Sequence, residues 1–340
     1  MLKKNDLGIA TQKFYGNWLS LVGQANIVFR RFAIEKNMPA NKGQKVVMRY
    51  YDALEPALTA LVEGVTPTGS TPVVQEVEIS TDEYGDFISV SDQVGIWDED
   101  GQLLKSPESK ENVQLLSHQA TETLDILVRN AIKAGTNVYY AGAPSISARS
   151  NITASNKVSR ADYKRIIRTL QLQNVKPLAP MMATGSGQGS ASLGPAYFGI
   201  IGPMTLDDLS DLDGWVDVDS YANPALAIQN SDGSIYEVGA LRKLNGTSIR
   251  FLMTTNDLVF SGAGSGSINV FGDLIFGKEA FGQTTLKGRK TIKFLAKAPG
   301  TGGTDDPLDQ RSTFGWKVEA FGAGILKQVA LMRYEHAVSG

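Results

Sequence analysis

The sequence predicts an α+β fold. Three observations carry that prediction. One long run of apolar residues is spaced as in a helix, several short runs alternate apolar and polar as strands do, and 35 glycines among 340 residues break the chain into bends. The apolar share of 42% is enough for a packed core, and 20% charged is slightly low for a soluble monomer. No apolar stretch reaches the roughly 18 residues of a membrane span. Met1-Leu2-Lys3-Lys4 is not followed by the apolar stretch of a secretory signal. The absence of cysteine excludes disulfides, iron–sulfur clusters, thiolate zinc sites and cysteine nucleophiles. Two histidines, His118 and His336, are too few for a multi-histidine metal centre.

The first 40 residues mix aromatic and aliphatic side chains with basic ones. The spacing predicts two short amphipathic helices, at about 11–22 and 24–34, ended by Met38-Pro39. This reads as an arm that packs on something else. Lys45 to Tyr51 has strand composition. Asp52 to Pro72 follows, with three prolines and two glycines around Leu54, Leu58, Leu61, Val62 and Val65. Val74–Ile79 and Asp86–Ser91 alternate as strands. Together these segments predict a long β-hairpin whose tip is apolar and broken by proline, and such a tip cannot bury its own leucines. A long irregular loop of this kind is usually functional, so the tip is expected to dock on a neighbour.

Ser106-Pro107-Glu108 reads as a helix start, with a capping serine, proline at the first position and an acid in the first turn. Val113, Leu116, Ala120, Leu124, Leu127 and Ala131 then recur at steps of three or four until Gly135, which predicts a spine helix over 107–134. Residues 136–158 read as strands with turns. A capping-box pattern at Ser159–Asp162 opens a second helix to about Asn174, with Tyr163, Ile166, Ile167 and Leu170 inward. Residues 181–183 and 197–201 read as strands, 184–194 as a Gly/Ser loop and Pro203 as the start of a short helix. Strands and glycine turns alternate over 221–280, and Thr291–Leu295, Gly315–Ala320 and Gln328–Glu335 close the chain as strands.

The net charge of −2 conceals an asymmetry. Residues 1–45 hold eight basic side chains, among them Arg30, Arg31, Lys42 and Lys45, against two acids. Residues 46–104 hold twelve acids, among them Glu63, Glu76 and Glu78, against Arg49 alone. One reading is a solvated acidic surface. The sharper reading is charge-complementary contact between copies of the chain.

Enzyme signatures are missing: there is no G-x-S-x-G, no dinucleotide glycine motif and no P-loop. His118 and His336 read as structural or surface side chains. The run of six aspartates from Asp207 to Asp219 includes Asp211, Asp213, Asp217 and Asp219 as weak calcium-ligand candidates, but it lacks the spacing of a calcium loop. No cofactor is expected. A carboxylate-dependent hydrolase is kept as a reading of a different class, although no pair of acids stands out. Only the arm is basic enough to touch nucleic acid, and then only through non-specific phosphate contact.

The order of segments and their motifs resembles the major capsid proteins of tailed bacteriophages, with the HK-ninety-seven-like capsid fold, and within them the N-four-type podovirus family. The motifs are Phe14-Tyr15 with Leu19 and Ala25, Pro39 to Gly43, Pro56 through Gly69, Tyr84-Gly85-Asp86 with Ser91-Asp92, and Glu122 to Asp125. Near the end come Phe276-Gly277, Ala280-Phe281-Gly282, Asp306-Pro307-Leu308, Gln310-Arg311 and Gly315-Trp316-Lys317. They are collinear over almost the whole chain.

The resemblance implies an N-terminal arm (1–43), an extended loop (44–95), a peripheral domain (96–158 and 283–340) with the spine helix, and an axial domain (159–282). It implies a non-enzymatic shell subunit that forms hexamers and pentamers around dsDNA, in a virion assembled in the bacterial cytoplasm. A portal and a separate scaffolding protein would be partners, no scaffold-like segment preceding the arm, and a decoration protein is admitted. An encapsulin-like compartment shell is the alternative within the same fold. The residues expected to touch neighbouring subunits are Arg30, Arg31, Lys42, Lys45, Leu54, Leu58, Leu61, Val62, Glu63, Val65, Glu76 and Glu78. Some relatives weld subunits through a lysine on the extended loop, but residues 46–104 contain none, so cohesion is expected to be noncovalent.

Overall fold

A computed structural model describes residues 27–39, 43–66, 69–91, 110–178, 195–220, 237–288, 291–297, 307–308 and 310–339. Expectations for the helix at 11–22, the helix start at 106–109, the strand at 181–183, the loop at 184–194 and Lys42 lie outside these residues.

The long apolar run forms helix α1 (Lys110–Lys133), which spans about 36 Å at 1.5 Å per residue. Its buried stripe is Leu116, Ala120, Leu124, Val128 and Ile132, not the expected drift to Leu127 and Ala131. Steps of four residues overshoot one turn by about 40°, so the stripe winds obliquely around the helix. It stays in contact with the long strand β14 (Arg311–Ile325), which α1 packs against together with β4 (Asp82–Ser91).

β14 organises a five-stranded sheet. β12 (Phe281–Leu286), β13 (Lys293–Lys297) and β4 all pair with it antiparallel, and β1 (Ile34–Met38) adds parallel to the outer edge of β12. The arm helix expected over 24–34 is therefore corrected. Phe29–Phe32 make a single 3-10 turn, and the chain is extended from Ile34. The aromatic residues that suggested a helix face serve another purpose. Phe29 is buried, and the Phe32 ring lies 5.1 Å from Phe198 and 5.3 Å from Phe276. Tertiary pairing outweighs the weak local preference.

The hairpin expectation is refined in the same way. β2 (Lys45–Tyr51) and β3 (Val74–Ser80) pair only with each other, as a two-stranded ribbon. β4 leaves the ribbon after Thr81 and joins β14.

An eight-stranded sheet carries the second half of the core. Its order is β5 (Val138–Tyr140), β15 (Leu331–His336), β11 (Val270–Phe276), β6 (Ala196–Ile201), β9 (Thr247–Met253), β8 (Glu237–Leu244) and β7 (Trp215–Asp217), with β10 (Leu258–Phe260) also on β11. β6 and β11 are buried along their whole length, as continuous apolar runs are when both faces are covered. Only Val138–Tyr140 of the 136–158 segment is a strand. Helix α2 (Arg160–Leu172) starts at Ser159, whose side chain accepts from the Asp162 N–H, and buries Tyr163, Ile166, Ile167 and Leu170 as expected. Asp162 does not complete a capping box. Its Oδ2 instead accepts the Ser159 hydroxyl at 2.8 Å and the Tyr334 hydroxyl at 3.0 Å. Helix α3 (Pro203–Ser210) follows β6, with proline at its start. One apolar cluster runs from Phe29 through α1, α2 and both large sheets to Tyr334.

Candidate assembly interface

The ribbon has no strand pairing with either large sheet. Val46, Met48 and Ile79 turn inward and form a small cluster with Met38, against Leu286, Ala320 and Leu326. The alternate positions face outward. There Arg49 pairs with Glu76 directly across the strands at 2.7 Å, and Lys45 reaches diagonally to Glu78 at 2.8 Å. Lys45, Glu76 and Glu78, expected to touch neighbouring subunits, thus already have ion-pair partners within their own chain. All four side chains are more than half exposed, so each pair contributes about 0–1 kcal/mol. Their consequence is register more than cohesion.

The last bond across the ribbon is from the Asp52 N–H to the Val73 carbonyl, and beyond it the chain is irregular. Leu58 is 91% exposed and Leu61 78%, and Leu54, Val62 and Val65 are exposed with them, beside an exposed Glu63. A chain does not gain by holding five large apolar side chains in water. Covering them at roughly 25 cal/mol per Å² is the largest favourable term open to this surface. An open groove of about 590 Å³ lies where the ribbon's ladder gives way to the tip, lined by Tyr50, Tyr51, Glu76, Ile325 and Val329 among others. Lys327 Nζ sits 5.5 Å from the Tyr50 ring centroid there.

The root of the arm is fixed to the body. Asp125 in α1 accepts the backbone N–H groups of Val28 and Arg30, and Arg30 Nε donates to Gln283 Oε1 at 3.1 Å. The Arg30 guanidinium lies over the Phe321 ring, and burial pulls its basicity below the usual value against the raising effect of Glu35 and Asp125. Arg30, expected at a subunit contact, is thus engaged within its own chain, whereas Arg31 is exposed. Sequence reasoning missed Asp125 as the anchor. Its only signal was an acid on the apolar side of the spine, one residue after Leu124.

The chemical candidates resolve differently. Asp213 pairs with Arg160, and Asp217 Oδ1 accepts the Trp215 indole N–H at 2.7 Å. Asp211 and Asp219 are exposed. Among the described residues no three His, Asp or Glu side chains converge closely enough to hold a metal ion. His118 is half-buried on α1, 3.7 Å from Glu122 one turn on. His336 is fully buried, with Nε2 3.2 Å from Asp273 Oδ1, and the other carboxylate oxygen of Asp273 accepts the Tyr163 hydroxyl at 2.7 Å. Burial raises the Tyr163 and Tyr334 hydroxyls well above their ordinary range, so both remain proton donors. Beside them Glu335, also fully buried, accepts from Arg149 Nε and Nη2 at 2.7 Å each and from Arg333 Nε at 2.7 Å. Asp273 Oδ1 and His336 Nε2 have no hydrogen-bond partner beyond their mutual 3.2 Å approach, while the hydroxyls and guanidinium groups around them are paired. The network pins β15, β11, α2 and the 149–151 turn together.

No family model and no curated protein matches the chain. The solved structures give a different answer. The chain superimposes over its whole length on the capsid of Ralstonia phage GP4, covering 98% of that chain with a TM-score of 0.64 at 14% identity. It matches the head of Helicobacter pylori bacteriophage KHP40 over 99% of this chain and 96% of that one, with a TM-score of 0.62 at 12% identity. It matches the capsid of cyanophage Pam1 over 98% and 99%, with a TM-score of 0.60 at 14% identity. The fold is therefore that of phage capsid proteins, HK-ninety-seven-like, as the order of segments implied. No helix among the described residues is long and apolar enough to cross a membrane.

Proposed function

We propose that this chain is the major capsid protein of a tailed phage, a structural subunit without catalysis that builds an icosahedral shell around dsDNA. The observation that carries the reading is the ribbon tip, where Leu54, Leu58, Leu61, Val62 and Val65 stand in water away from the apolar cluster that runs through α1, α2 and both large sheets. Likeness of fold to phage capsids over nearly the whole length supports it. In this reading the tip docks on a sister subunit, and the groove beside Tyr50 and Val329 receives part of another copy. Hexamers and pentamers are the assembly units, and cohesion is noncovalent. A portal and a separate scaffolding protein are the partners, and assembly takes place in the host cytoplasm. The collinear motifs of the sequence favour the N-four-type podovirus branch. Electron microscopy and sedimentation of the purified chain, with and without a scaffolding protein from the same genome, test this. Closed shells or ring-shaped capsomers are expected, and a permanently monomeric chain under both conditions overturns it.

A further inference from the structure

Helix α2 divides into two faces. At roughly 100° per residue, the buried Asp162, Tyr163, Ile166, Ile167 and Leu170 occupy an arc of about 140°. Arg160, Lys164, Arg165 and Arg168 occupy the opposite arc, also about 140° wide. The only acid of the helix, Asp162, is turned inward and held by the Ser159, Tyr139 and Tyr334 hydroxyls. No acid of the helix therefore reaches its solvent face.

Two of the four cations have local duties. Arg160 pairs with Asp213, and Arg165 donates to the Ala143 carbonyl at 2.6 Å and lies 3.7 Å from Asp162. Lys164 and Arg168 are exposed, and among the described residues no carboxylate pairs with either. The neighbouring hairpin adds a fifth charge. Asn245 Nδ2 donates to the Lys164 carbonyl and Gln171 Nε2 donates to the Asn245 carbonyl, each at 3.1 Å, so the β8–β9 turn is fastened along α2. Lys243 stands exposed near the end of β8, two residues before Asn245 of that turn, with φ at 58°.

We propose that this face of α2, centred on Lys164 and Arg168 and extended by Lys243, binds the phosphate backbone of duplex DNA. The inference rests on the shell reading, in which an enclosed genome is the polyanion the subunit meets. The composition of the face favours DNA over a protein partner. Protein interfaces need an apolar centre depleted in charge, and the one large exposed apolar side chain on this helix is Leu172 at its last position. A duplex carries one charge per 1.7 Å of axis, about 3.4 Å per strand, and is held without base contacts by cations alone. Arg160 to Arg168 spans about 12 Å along the helix, the length of three to four successive phosphates. Segment-by-segment charge counting hid this face, because the cations are averaged there with acids that the fold places elsewhere.

The test uses the full chain with Lys164→Ala and Arg168→Ala together, and Lys287→Ala with Lys297→Ala, exposed on the five-stranded sheet, as a charge-matched control. Binding of a 30-base-pair duplex is followed by fluorescence anisotropy across a salt series, and each protein is imaged for shells. The α2 variant is expected to form normal shells, to bind at least about tenfold more weakly at low salt, and to show a salt slope shallower by about 1.8. The control is expected to keep the wild-type slope. An unchanged slope in the α2 variant overturns the proposal, as does a wild-type chain that fails to bind duplex at low salt. Loss of shells with DNA binding intact also overturns it and makes the face a subunit contact. Failure of the wild-type chain to assemble, with the slope change still seen, sinks the shell reading and leaves the DNA face standing.

Discussion

Asp125 accepts the backbone N–H of Arg30 at 2.7 Å across 95 residues of sequence, and so ties the root of the arm to the middle of the spine helix. Burial raises the Asp125 carboxyl from 3.8 to about 6, outweighing the backbone N–H groups of Arg30, Val28 and Phe29 and the charge of Arg30. A folded-state value above the unfolded one means that the folded chain takes up the proton more readily. The contribution to stability is present in full below about 4 and is lost as pH rises through about 6. A gap of about two pH units corresponds to about 3 kcal/mol. Asp125→Asn removes the titration and one backbone acceptor, the latter costing about 1–3 kcal/mol at pH 7. The wild type should then gain further on the variant between pH 7 and pH 5. Thermal melts at the two pH values check this, and an equal difference at both excludes Asp125 as the titrating group.

His336 gives a second pH dependence with the same sign. Burial alone lowers its ring, but the charge and hydrogen bond of Asp273, the Ala337 carbonyl and the charge of Asp208 raise it above the ordinary 6.5. Its stabilisation is full below that value and is lost as pH climbs through the folded one. His336→Gln should flatten the fall in stability on the alkaline side. Urea unfolding between pH 6 and pH 9 measures the slope, and an unaltered slope in the variant assigns it to another group.

Leu58→Asp with Leu61→Asp should leave the melting temperature of the isolated chain within about 1 °C, because exposed side chains away from the core change stability little. Shell formation should be lost. Normal shells from this double variant, seen by electron microscopy, show that the tip is not a docking element.

Gly322 has no room for a side chain. A Cβ there meets the Ser80 carbonyl oxygen far inside van der Waals contact and Ile79 Cγ2 at 2.9 Å. Gly322→Ala should cost about 1–3 kcal/mol through overpacking and speed amide exchange around Ile79 and Ser80. If exchange at the ribbon root stays slow, the ribbon does not rest on β14 in solution.

Salt should act on the rate of assembly more than on finished shells. The exposed Lys45–Glu78 and Arg49–Glu76 pairs, and any charge contact between copies, are screened within about 8 Å at physiological ionic strength. Buried apolar contact is not screened. Light scattering should show slower assembly in molar salt, while preformed particles keep their sedimentation. Particles that fall apart in molar salt at neutral pH indicate cohesion by charge.

Elements with strong local signals were legible. The helix spacing of α1, the serine cap and inward face of α2, the proline start of α3 and the bare leucines of the tip all follow from neighbours within one or two turns. What escaped was long-range pairing. Ile34–Met38 becomes a strand only because Gly282–Leu286 lies alongside it, about 250 residues later, and nothing local marks that partner. The full length of β14 escaped for the same reason, since three different strands pair with it at different places. The anchoring role of Asp125 depends on where Val28 and Arg30 arrive, and so does the pairing of His336 with Asp273. The basic face of α2 was within reach, because a helical projection of residues 160–172 separates it from the buried side at once.

Gln44 and Thr81 face each other where the ribbon leaves the body, joined by the Thr81 N–H and hydroxyl to the Gln44 carbonyl and by Gln44 Nε2 to the Thr81 carbonyl. The ladder of β3 ends at Ser80 and that of β4 begins at Asp82, so the ribbon shares no hydrogen-bonded strand pair with the sheet beneath it. It is held by that joint and by Val46, Met48 and Ile79 packed on Met38, Leu286, Ala320 and Leu326, with Lys36 Nζ donating to the Val47 carbonyl. Changing its inclination means torsion at Gly43 and Thr81 and repacking of those side chains over Gly322 and Gly324, with the strand pairing of both large sheets left intact. One sequence is thereby suited to reach partners set at different inclinations, as a closed curved surface demands.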